Sequence, residues 1–505
     1  MSTLDPIGLQ VLVGSLRSAC EEMGAVLIGA SHSANIKERH DCSTALFDAA
    51  GELVMQAEHI PVHLGSMPES VAAVIRRGPA PGDCWILNDP FRGGTHLPDI
   101  TLIEPVHSAD RLIGFAASRA HHADVGGPTP GSMPARSRTI EEEGVLIPPT
   151  RADDTTLREL SSRMRNPGQR LADLRAQRAA NRTGSGRLLE LCAALGEDAL
   201  AEGMAAILDY AERRARAALA GIPDGDWEAT DCLEDDADGG AGRIALRVRA
   251  EVRGDRLALD FSGTDAQVEG NLNCPLAVTR SAAFFAVRAL TDPDAPPSGG
   301  AYRPVSVSAP EGCLLNARPP AAVAAGNVET SSRVADLVIS ALAAAGGGPA
   351  QGQGTMNNLT LAGEGFTYYE TVGGGQGACP DRAGPSAVHV AMSNTLNTPI
   401  EALETEFPLR VTELSLRRGS GGPGSRAGGD GICREIEALV PMGFAMITER
   451  RAVAPRGRDG GGDGEPGRNL LNGAPLPSKC EGRLKPGDRL RIETPGGGGH
   501  GEGGG

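Results

Sequence analysis

The chain has 505 residues, several times the length of a typical domain, so we expect more than one hydrophobic core. Its formal net charge of −16 argues against a nucleic acid or an anionic membrane surface as the partner, because both require a basic face. The sequence contains neither an apolar run long enough to span a membrane nor a secretory signal, which predicts a cytoplasmic protein.

The first 150 residues predict a mixed α/β domain. Asp5 and Pro6 are typical of the N-cap and first turn of a helix, and apolar residues continue at helical spacing to Met23. Five short runs then have the composition of strands: 44–47, 52–55, 84–87, 100–106 and 112–118. The first two runs are separated by a short turn, which indicates a hairpin.

The rest of the chain divides into three segments by composition. Residues 151–221 are rich in Ala, Leu, Arg and Glu at helical spacing and predict a helical segment. Residues 222–407 predict a mixed α+β domain, and 408–505 predict short strands among glycine-rich turns, with a mobile tail from residue 495. The expected fold class is α+β and multi-domain, with mixed sheets, a helical middle segment and a glycine-rich β C-terminal part.

Histidine is concentrated at the start of the chain. Eight of the ten histidines precede residue 123: His32, His40, His59, His63, His96, His107, His121 and His122. If 100–106 and 112–120 form an antiparallel hairpin, the residues flanking the two strands meet at its outer end. The residues expected at that end are His96, Asp99, His121, His122 and Asp124.

Two neighbouring segments would bring further ligands to this region. A strand at 84–88, paired antiparallel with 100–106, would end with Asp89 close to the same group. The hairpin of 42–47 with 52–56 gathers its own polar residues at its open end, namely His40, Asp41, Glu58 and His59.

A group that combines imidazole nitrogen with carboxylate oxygen suits Mn, Zn or Fe(II), whereas magnesium and calcium sites use oxygen ligands. The alternative is structural, since adjacent histidines and Asn-Asp-Pro turns also serve in capping and hydrogen bonding. The convergence of several such residues favours a divalent metal site. We predict no nucleotide site on this chain, because it lacks a P-loop and its 373–377 glycine run neither follows a clear strand nor opens a clear helix.

The chain resembles the B-type subunits of the hydantoinase/oxoprolinase family, which includes the B-type component of N-methylhydantoinase and, as a longer relative, the acetone carboxylase alpha subunit. The motifs that carry the resemblance are ERHDCSTALFD at 38–48, NDPFRGGTHLPD at 88–99, HHADVGG at 121–127, SGTDAQVEGNLN at 262–273, NVETSSR at 327–333 and MSNTLNTPIEALE at 392–404. Two positions depart from the family pattern, Cys42 in place of an aromatic residue and Ala427 after Arg426. These departures bear on substrate preference, not on membership.

The resemblance implies a subunit that opens a ring in a hetero-oligomer with an A-type partner, whose actin-like ATPase fold binds ATP and activates the substrate. It also implies the functional residues. The metal ligands would be Asp41, His96, Asp99, His121 and Asp124, and the residues of the chemistry would be Asp41, His122 and Asp89. Which carboxylate acts as the base and which as a ligand stays open at this point.

The leading hypothesis is therefore a metal-dependent subunit of an ATP-dependent cyclic amidohydrolase that acts on hydantoin, 5-oxoproline or a similar lactam. Two alternatives stay open. The chain could serve an ATP-dependent ketone carboxylase, or it could be a non-catalytic scaffold for the ATPase. The scaffold alternative predicts that the histidines and aspartates are dispensable.

Overall fold

The computed structural model describes residues 5–58, 61–63, 65–235 and 242–503. Over these ranges helices are combined with four separate sheets, and the predicted α+β class is confirmed. No helix in the described ranges is long and apolar enough to cross a membrane.

The N-terminal region is a six-stranded sheet with helices packed on it. Its elements are α1 (Pro6–Ala30), α2 (Ala34–Lys37), β1 (Cys42–Asp48), β2 (Leu53–Glu58), α3 (Met67–Ile75), β3 (Trp85–Leu87), β4 (Asp99–Ser108), β5 (Arg111–His121) and β6 (Thr150–Arg151). The strand order is β2-β1-β5-β4-β3-β6, and neighbouring strands pair antiparallel throughout. Asp5 caps α1 by accepting a hydrogen bond from the Gly8 amide at 2.7 Å. Both predicted hairpins are present.

Three helices follow, in the segment predicted to be helical. They are α4 (Asp154–Ser162), α5 (Pro167–Leu195) and α6 (Glu197–Leu219). Helix α5 lies against α1 and the six-stranded sheet, and the three share one hydrophobic core. At Gly184 an added Cβ would lie 2.3 Å from the sulfur of Met23, so glycine permits the close approach of α5 to α1.

The middle of the chain contains a four-stranded sheet and two long helices. Its elements are β7 (Gly225–Asp235), β8 (Gly242–Arg253), β9 (Arg256–Asp260), α7 (Leu276–Thr291), β10 (Val305–Ser308) and α8 (Ser331–Gly346). A single π-helical turn, Gly326–Thr330, leads directly into α8. Such turns are rare and occur frequently at functional sites.

Two sheets form the C-terminal region. The elements are β11 (Asn358–Gly363), β12 (Phe366–Glu370), α9 (Ile400–Glu406), β13 (Leu409–Arg417), β14 (Gly431–Ala438), β15 (Met442–Ile447), β16 (Arg468–Leu471), β17 (Ala474–Leu476), β18 (Lys479–Leu484) and β19 (Arg489–Glu493). One sheet has the order β12-β11-β15-β18 and the other β13-β14-β19-β16-β17. Because β11 pairs with β15, the predicted division at residue 408 runs through a sheet.

The glycine-rich tail contradicts the prediction that it is mobile. Residues 495–500 are buried, and Gly504 and Gly505 lie outside the described residues. The Gly497 amide donates to the Gly429 carbonyl at 2.9 Å, and the Gly497 carbonyl accepts from the Gly422 amide at 2.8 Å. A Cβ on Gly428 would lie 2.0 Å from the Gly497 carbonyl oxygen. The backbones pack directly on one another, which only glycine allows.

Candidate functional site

The outer end of the β4–β5 hairpin forms the candidate site. Asp99 begins β4, His121 ends β5, and the two are register partners. His96 precedes β4 in a loop that Asn88 holds in place, donating to the Leu97 carbonyl at 2.8 Å and accepting from the Ile147 amide at 2.7 Å. The pairing of the two strands and the loop before β4 thus bring two histidine side chains and one carboxylate together.

Three ligand atoms form a nearly equilateral triangle there. His96 Nε2 lies 3.1 Å from Asp99 Oδ1 and 3.1 Å from His121 Nδ1, and His121 Nδ1 lies 3.2 Å from Asp99 Oδ1. Atoms bound at about 2.0–2.2 Å to one ion are separated by roughly 2.8–3.6 Å. All three residues are at least 97% buried, and among the described residues they form a group able to hold a metal ion. The residues present fit a divalent cation.

The carboxylate of Asp99 is surrounded by donors. Thr95 Oγ1 donates to its Oδ2 at 2.7 Å and Asn327 Nδ2 at 3.3 Å, while His63 Nε2 lies 3.5 Å away. Ser43 Oγ, 2.9 Å from His63 Nδ1, fixes the orientation of the His63 ring. These contacts hold the carboxylate in one orientation.

The electrostatics favour a charged Asp99. Burial raises the pKa of this carboxyl, but the neighbouring His96 and hydrogen bonds from the surrounding histidines outweigh burial and hold it well below its usual range. Burial opposes protonation of His96, yet the charge and hydrogen bond of Asp99 raise the His96 pKa above its ordinary value. A carboxylate that stays ionised when buried is suited to bind a cation.

A small cavity opens beside the triangle. Its volume is about 20 Å³, enough for one ion or water molecule. Met356 and Met392 are part of its lining, and methionine side chains reorient at low cost. Reorientation of these two side chains would enlarge the cavity.

Asp41 also lines this cavity, next to the triangle but outside it. Its backbone is fixed by two hydrogen bonds, from its amide to the Asn35 carbonyl and from the His121 amide to its own carbonyl, both at 3.0 Å. The side chain is only 7% exposed, and no described residue donates a hydrogen bond to its carboxylate. Within the described part of the chain, Asp41 is thus a buried carboxylate that lines the cavity without a hydrogen-bond donor.

Asp41, a predicted metal ligand, thus lines the cavity outside the triangle. The structure brings three further predicted residues to neither the triangle nor the cavity, and the expectation for them is corrected. His122 contacts Gln177 of α5 instead, with 2.9 Å between His122 Nε2 and Gln177 Oε1, because successive residues along a strand point to opposite faces. Burial lowers the pKa of His122 to about 4. The hairpin pattern located the strand end but not the direction of each side chain.

The other two residues that fall outside the group are aspartates that organise loops. Asp124 accepts from the Gly126 and Gly131 amides at 2.8 and 2.7 Å and pairs with Arg165 at 3.1 Å. Asp89 accepts from the Phe91 amide at 3.0 Å, which caps a short 3-10 helix. His59, expected near Asp41, lies outside the described residues.

Several contributors were not predicted. His63 was one of the clustered histidines but matched no spacing rule, and Asn327 comes from the π-helical turn more than 200 residues away. Tyr369 of β12 stacks on the His121 ring, with centroids 4.7 Å apart and planes at 15°. The one available signal for Asn327 was its place in the NVETSSR motif.

A wider groove lies elsewhere. It measures about 650 Å³ and is lined in part by Pro128, Arg165, Phe366 and Arg483. It contains none of the His96, Asp99 and His121 triangle. We assign the chemistry to the smaller cavity, since size alone does not supply ligands or a base.

Known proteins resemble this chain over almost its whole length. A 5-oxoprolinase from Dictyostelium discoideum is 38% identical over 99% of this chain and 40% of that protein. The B-type component of a putative D-/L-hydantoinase from Pseudomonas sp. strain NS671 is 30% identical over 99% of this chain and 90% of that protein. The chain therefore spans about two fifths of the length of the 5-oxoprolinase but nearly all of the hydantoinase component.

Two solved structures share the fold. The ATP-dependent caprolactamase from Pseudomonas jessenii superposes with a TM-score of 0.93 at 29% identity, covering 99% of this chain and 92% of that one. Nucleotide-free acetone carboxylase gives a TM-score of 0.88 at 17% identity, covering 98% and 76%. At that identity the second likeness shows the fold alone.

The fold and the site together define a multi-sheet α+β protein with a buried histidine–aspartate centre. The chain belongs to the hydantoinase B/oxoprolinase family, whose model matches residues 5–503. The predicted membership is confirmed across almost the full length.

Proposed function

We propose that this chain is the ring-opening subunit of an ATP-dependent cyclic amidohydrolase. The observation that carries the proposal is the triangle of His96, Asp99 and His121 beside a cavity that an unpartnered Asp41 also lines. The proposal draws support from relatives that are named hydantoinase, 5-oxoprolinase and caprolactamase. Its substrate would be a small cyclic amide.

His96, Asp99 and His121 would hold a divalent ion, with Mn, Zn or Fe(II) as the candidates that suit this mixture of ligands. A divalent ion held there would polarise a ring carbonyl or lower the pKa of a water molecule. His63, Thr95 and Asn327 would keep Asp99 oriented, the task that outer partners of metal ligands commonly perform.

The division of work between the two carboxylates follows from their surroundings. Asp99 is enclosed by donors and lies in the triangle, so we assign it as a ligand. No described residue donates a hydrogen bond to the Asp41 carboxylate. Because this carboxylate lines the cavity, it is placed to accept the proton of an attacking water molecule. His122 and Asp89 have no part in this scheme, because neither lines the cavity.

ATP would be used on a partner of the A type. A five-membered cyclic amide re-closes readily after opening, so coupling to ATP drives the reaction forward. The present sequence has no P-loop, and the hydantoinase relative, itself named as one subunit of an enzyme, supports a two-component assembly. We therefore expect a hetero-oligomer in which activation and ring opening occur on different chains.

The test is reconstitution of the chain with an A-type subunit of the same family, followed by assays of ring opening on hydantoin, 5-oxoproline and caprolactam. His96→Ala should abolish ring opening while the complex still assembles. The matched control is His32→Ala, since His32 is exposed and remote from the cavity. Full activity of the His96→Ala complex would establish the scaffold alternative and end the proposal.

A further inference from the structure

A second cavity lies between α2, the start of α5 and the strand β12. Its volume is about 150 Å³, several times that of the cavity beside the triangle, and the two cavities share no lining residue. Phe366 borders both this cavity and the wider groove, so a ligand can reach it from the groove. We call it the aromatic cavity, and its lining includes Ser33, Asn35, Phe366, Tyr368, Glu406 and Phe407.

Three aromatic side chains line this cavity. Only 3% of the residues in the chain are aromatic, so three rings at one small cavity are a local concentration. Phe366 and Tyr368 lie two residues apart on β12 and therefore share a face of the sheet. The Phe407 ring lies with its centroid 6.0 Å from that of Phe366 and 5.1 Å from that of Tyr368, at interplanar angles of 57° and 53°. Faces of aromatic rings attract cations through their quadrupole.

A carboxylate without a basic partner lies beside the rings. Glu406, the last residue of α9, lines the cavity and is also exposed to solvent, and it forms no ion pair with any described residue. Desolvation raises the pKa of its carboxyl and the charge of Glu38 adds to that effect, while Lys37 offsets it only in part. A cation bound here would compensate this negative charge, whereas an anion would be repelled.

Two buried polar groups of the lining have no hydrogen-bond partner among the described residues. They are Ser33 Oγ and Asn35 Nδ2, and the two residues are only 1% and 2% exposed. The Ser33 amide already donates to Asp173 Oδ1 at 3.2 Å, so the hydroxyl is the group that stays available. Because buried polar atoms without partners are costly, these two indicate a polar group on whatever binds in the cavity.

The aromatic cavity lies behind the candidate site. Tyr368 lines the aromatic cavity and the next residue, Tyr369, lines the cavity beside the triangle, since successive side chains of a strand point to opposite faces. The Asn35 carbonyl accepts the hydrogen bond of the Asp41 amide at 3.0 Å. A ligand that binds the Asn35 side chain would therefore be connected to Asp41 through one residue and one hydrogen bond.

We propose that the aromatic cavity binds a small organic ammonium ion that carries a hydroxyl group. The ammonium group would lie against the three rings beside Glu406, and the hydroxyl would accept a hydrogen bond from Asn35 and donate one to Ser33. A metal ion does not suit this lining, because it needs several oxygen ligands and ring faces supply none. A neutral apolar molecule would leave Ser33 and Asn35 without partners.

The test compares choline with its neutral carbon analogue, in which a carbon atom replaces the ammonium nitrogen and the shape is kept. Binding of each to the full-length chain is measured by calorimetry. Wild-type protein should bind choline at least about tenfold more tightly, because three ring faces and one carboxylate act on the same cation. Glu406→Gln and Phe407→Leu should each reduce that preference, and Ser33→Ala should weaken the binding of both molecules.

Matched variants separate loss of the site from loss of the fold. Glu401→Gln, at an exposed position in the first turn of the same helix, should bind choline as the wild type does. Glu406 is itself exposed, so Glu406→Gln should fold normally and keeps the test independent of the buried Phe407. Equal binding of the two molecules by wild-type protein, no binding of choline, or an undiminished preference in Glu406→Gln would overturn the proposal.

The site stands apart from the proposed function, and one variant shows this. His96→Ala removes a member of the triangle but no residue of the aromatic cavity, so it should bind choline as tightly as the wild type. Normal choline binding by a chain that never opens rings would end the proposed function alone. Ring opening by a chain that does not bind choline would end the ammonium site alone.

Discussion

A buried ion-pair network in the C-terminal half and the histidine–aspartate cluster at the candidate site differ in how their charges are compensated. In the C-terminal half, Arg333 of α8 pairs with Asp231 at 3.4 Å and with Glu449 at 3.1 Å, and Lys479 pairs with Glu449 at 2.7 Å. Arg450 adds a second cation 3.2 Å from Asp231. Every charge in this network has an opposite charge beside it, and the network joins β7, α8, β18 and the chain after β15.

The histidine–aspartate cluster is compensated only in part. Histidines surround the Asp99 carboxylate, but among the described residues His121 Nε2 has no hydrogen-bond partner and the Asp41 carboxylate has no donor. Unsatisfied buried polar atoms are costly, so a fold retains them where something else binds. Burial of charge therefore does not by itself mark a functional site, and the polar atoms left without partners beside a cavity support the proposal that the histidine–aspartate cluster is one.

The largest effect should come from Asp99→Asn. The substitution keeps the size of the side chain but removes the negative charge from the triangle. The rate of ring opening by the complex should fall by more than about 100-fold, because loss of a residue that only orients a metal ligand already costs about 10–100-fold. Asp381→Asn, at an exposed position, is the control. The measurement is the steady-state rate of ring opening by each complex. A near-normal rate for Asp99→Asn would mean that the chemistry does not depend on this triangle.

Arg333→Met should act on stability instead. Removing one partner from a buried ion pair leaves uncompensated charge, which costs about 3–5 kcal/mol. Guanidinium denaturation of the purified chain should show that loss, while the folded fraction keeps its rate of ring opening. A loss below about 1 kcal/mol would mean that the network does not hold these elements together.

Asn327→Ala tests the outer partners of the triangle. Its amide donates to Asp99 at 3.3 Å, so its removal should weaken metal affinity by about 10–100-fold. Asn181→Ala is a matched buried control, since among the described residues the Asn181 amide donates to the Leu102 carbonyl at 3.0 Å and to no member of the triangle. Competition with a chelator measures the metal affinity of each variant. An equal loss of affinity in Asn327→Ala and Asn181→Ala would contradict a specific role for Asn327.

The smallest effect concerns pH. Burial, partly offset by Arg450 and Arg333, raises the pKa of Asp336 from 3.8 to about 6. A raised folded-state pKa favours the protonated form, so this contribution to stability is fully present below pH 3.8 and is lost as pH rises through about 6. Asp336→Asn should flatten the stability profile over that window by at most about 1.4 kcal/mol per pH unit. An unchanged profile in denaturation curves would contradict this.

The sequence could predict the fold class and the strand ends that form the candidate site because both depend on local patterns. Period-two runs predicted the β4–β5 hairpin and the residues at its outer end, and the structure shows the register in which Asp99 pairs with His121. The pattern could not separate His121 from His122, since adjacent residues point to opposite faces and one residue of uncertainty exchanges them. The prediction of a mobile tail failed because the partners of Gly497 are other glycine segments distant in sequence.

Residues from distant segments were beyond local reasoning. Asn327, Tyr369, Thr371 and Thr395 reach the cavity through the packing of the C-terminal half on the N-terminal sheet, which no short-range rule specifies. Arg39 lies within a predicted motif, yet only the structure shows that its guanidinium is buried against Tyr369, Thr371 and Thr395 of the C-terminal half.

The central claim is that His96, Asp99 and His121 hold a divalent cation, and metal analysis of the purified full-length chain tests it most directly. Wild-type protein and His32→Ala should each retain about one Mn, Zn or Fe per chain after dialysis, and His96→Ala should retain none, since a triangle that loses one of three ligands binds far more weakly. A wild-type chain that carries no ion, opens rings at full rate and is unaffected by chelators would contradict the account.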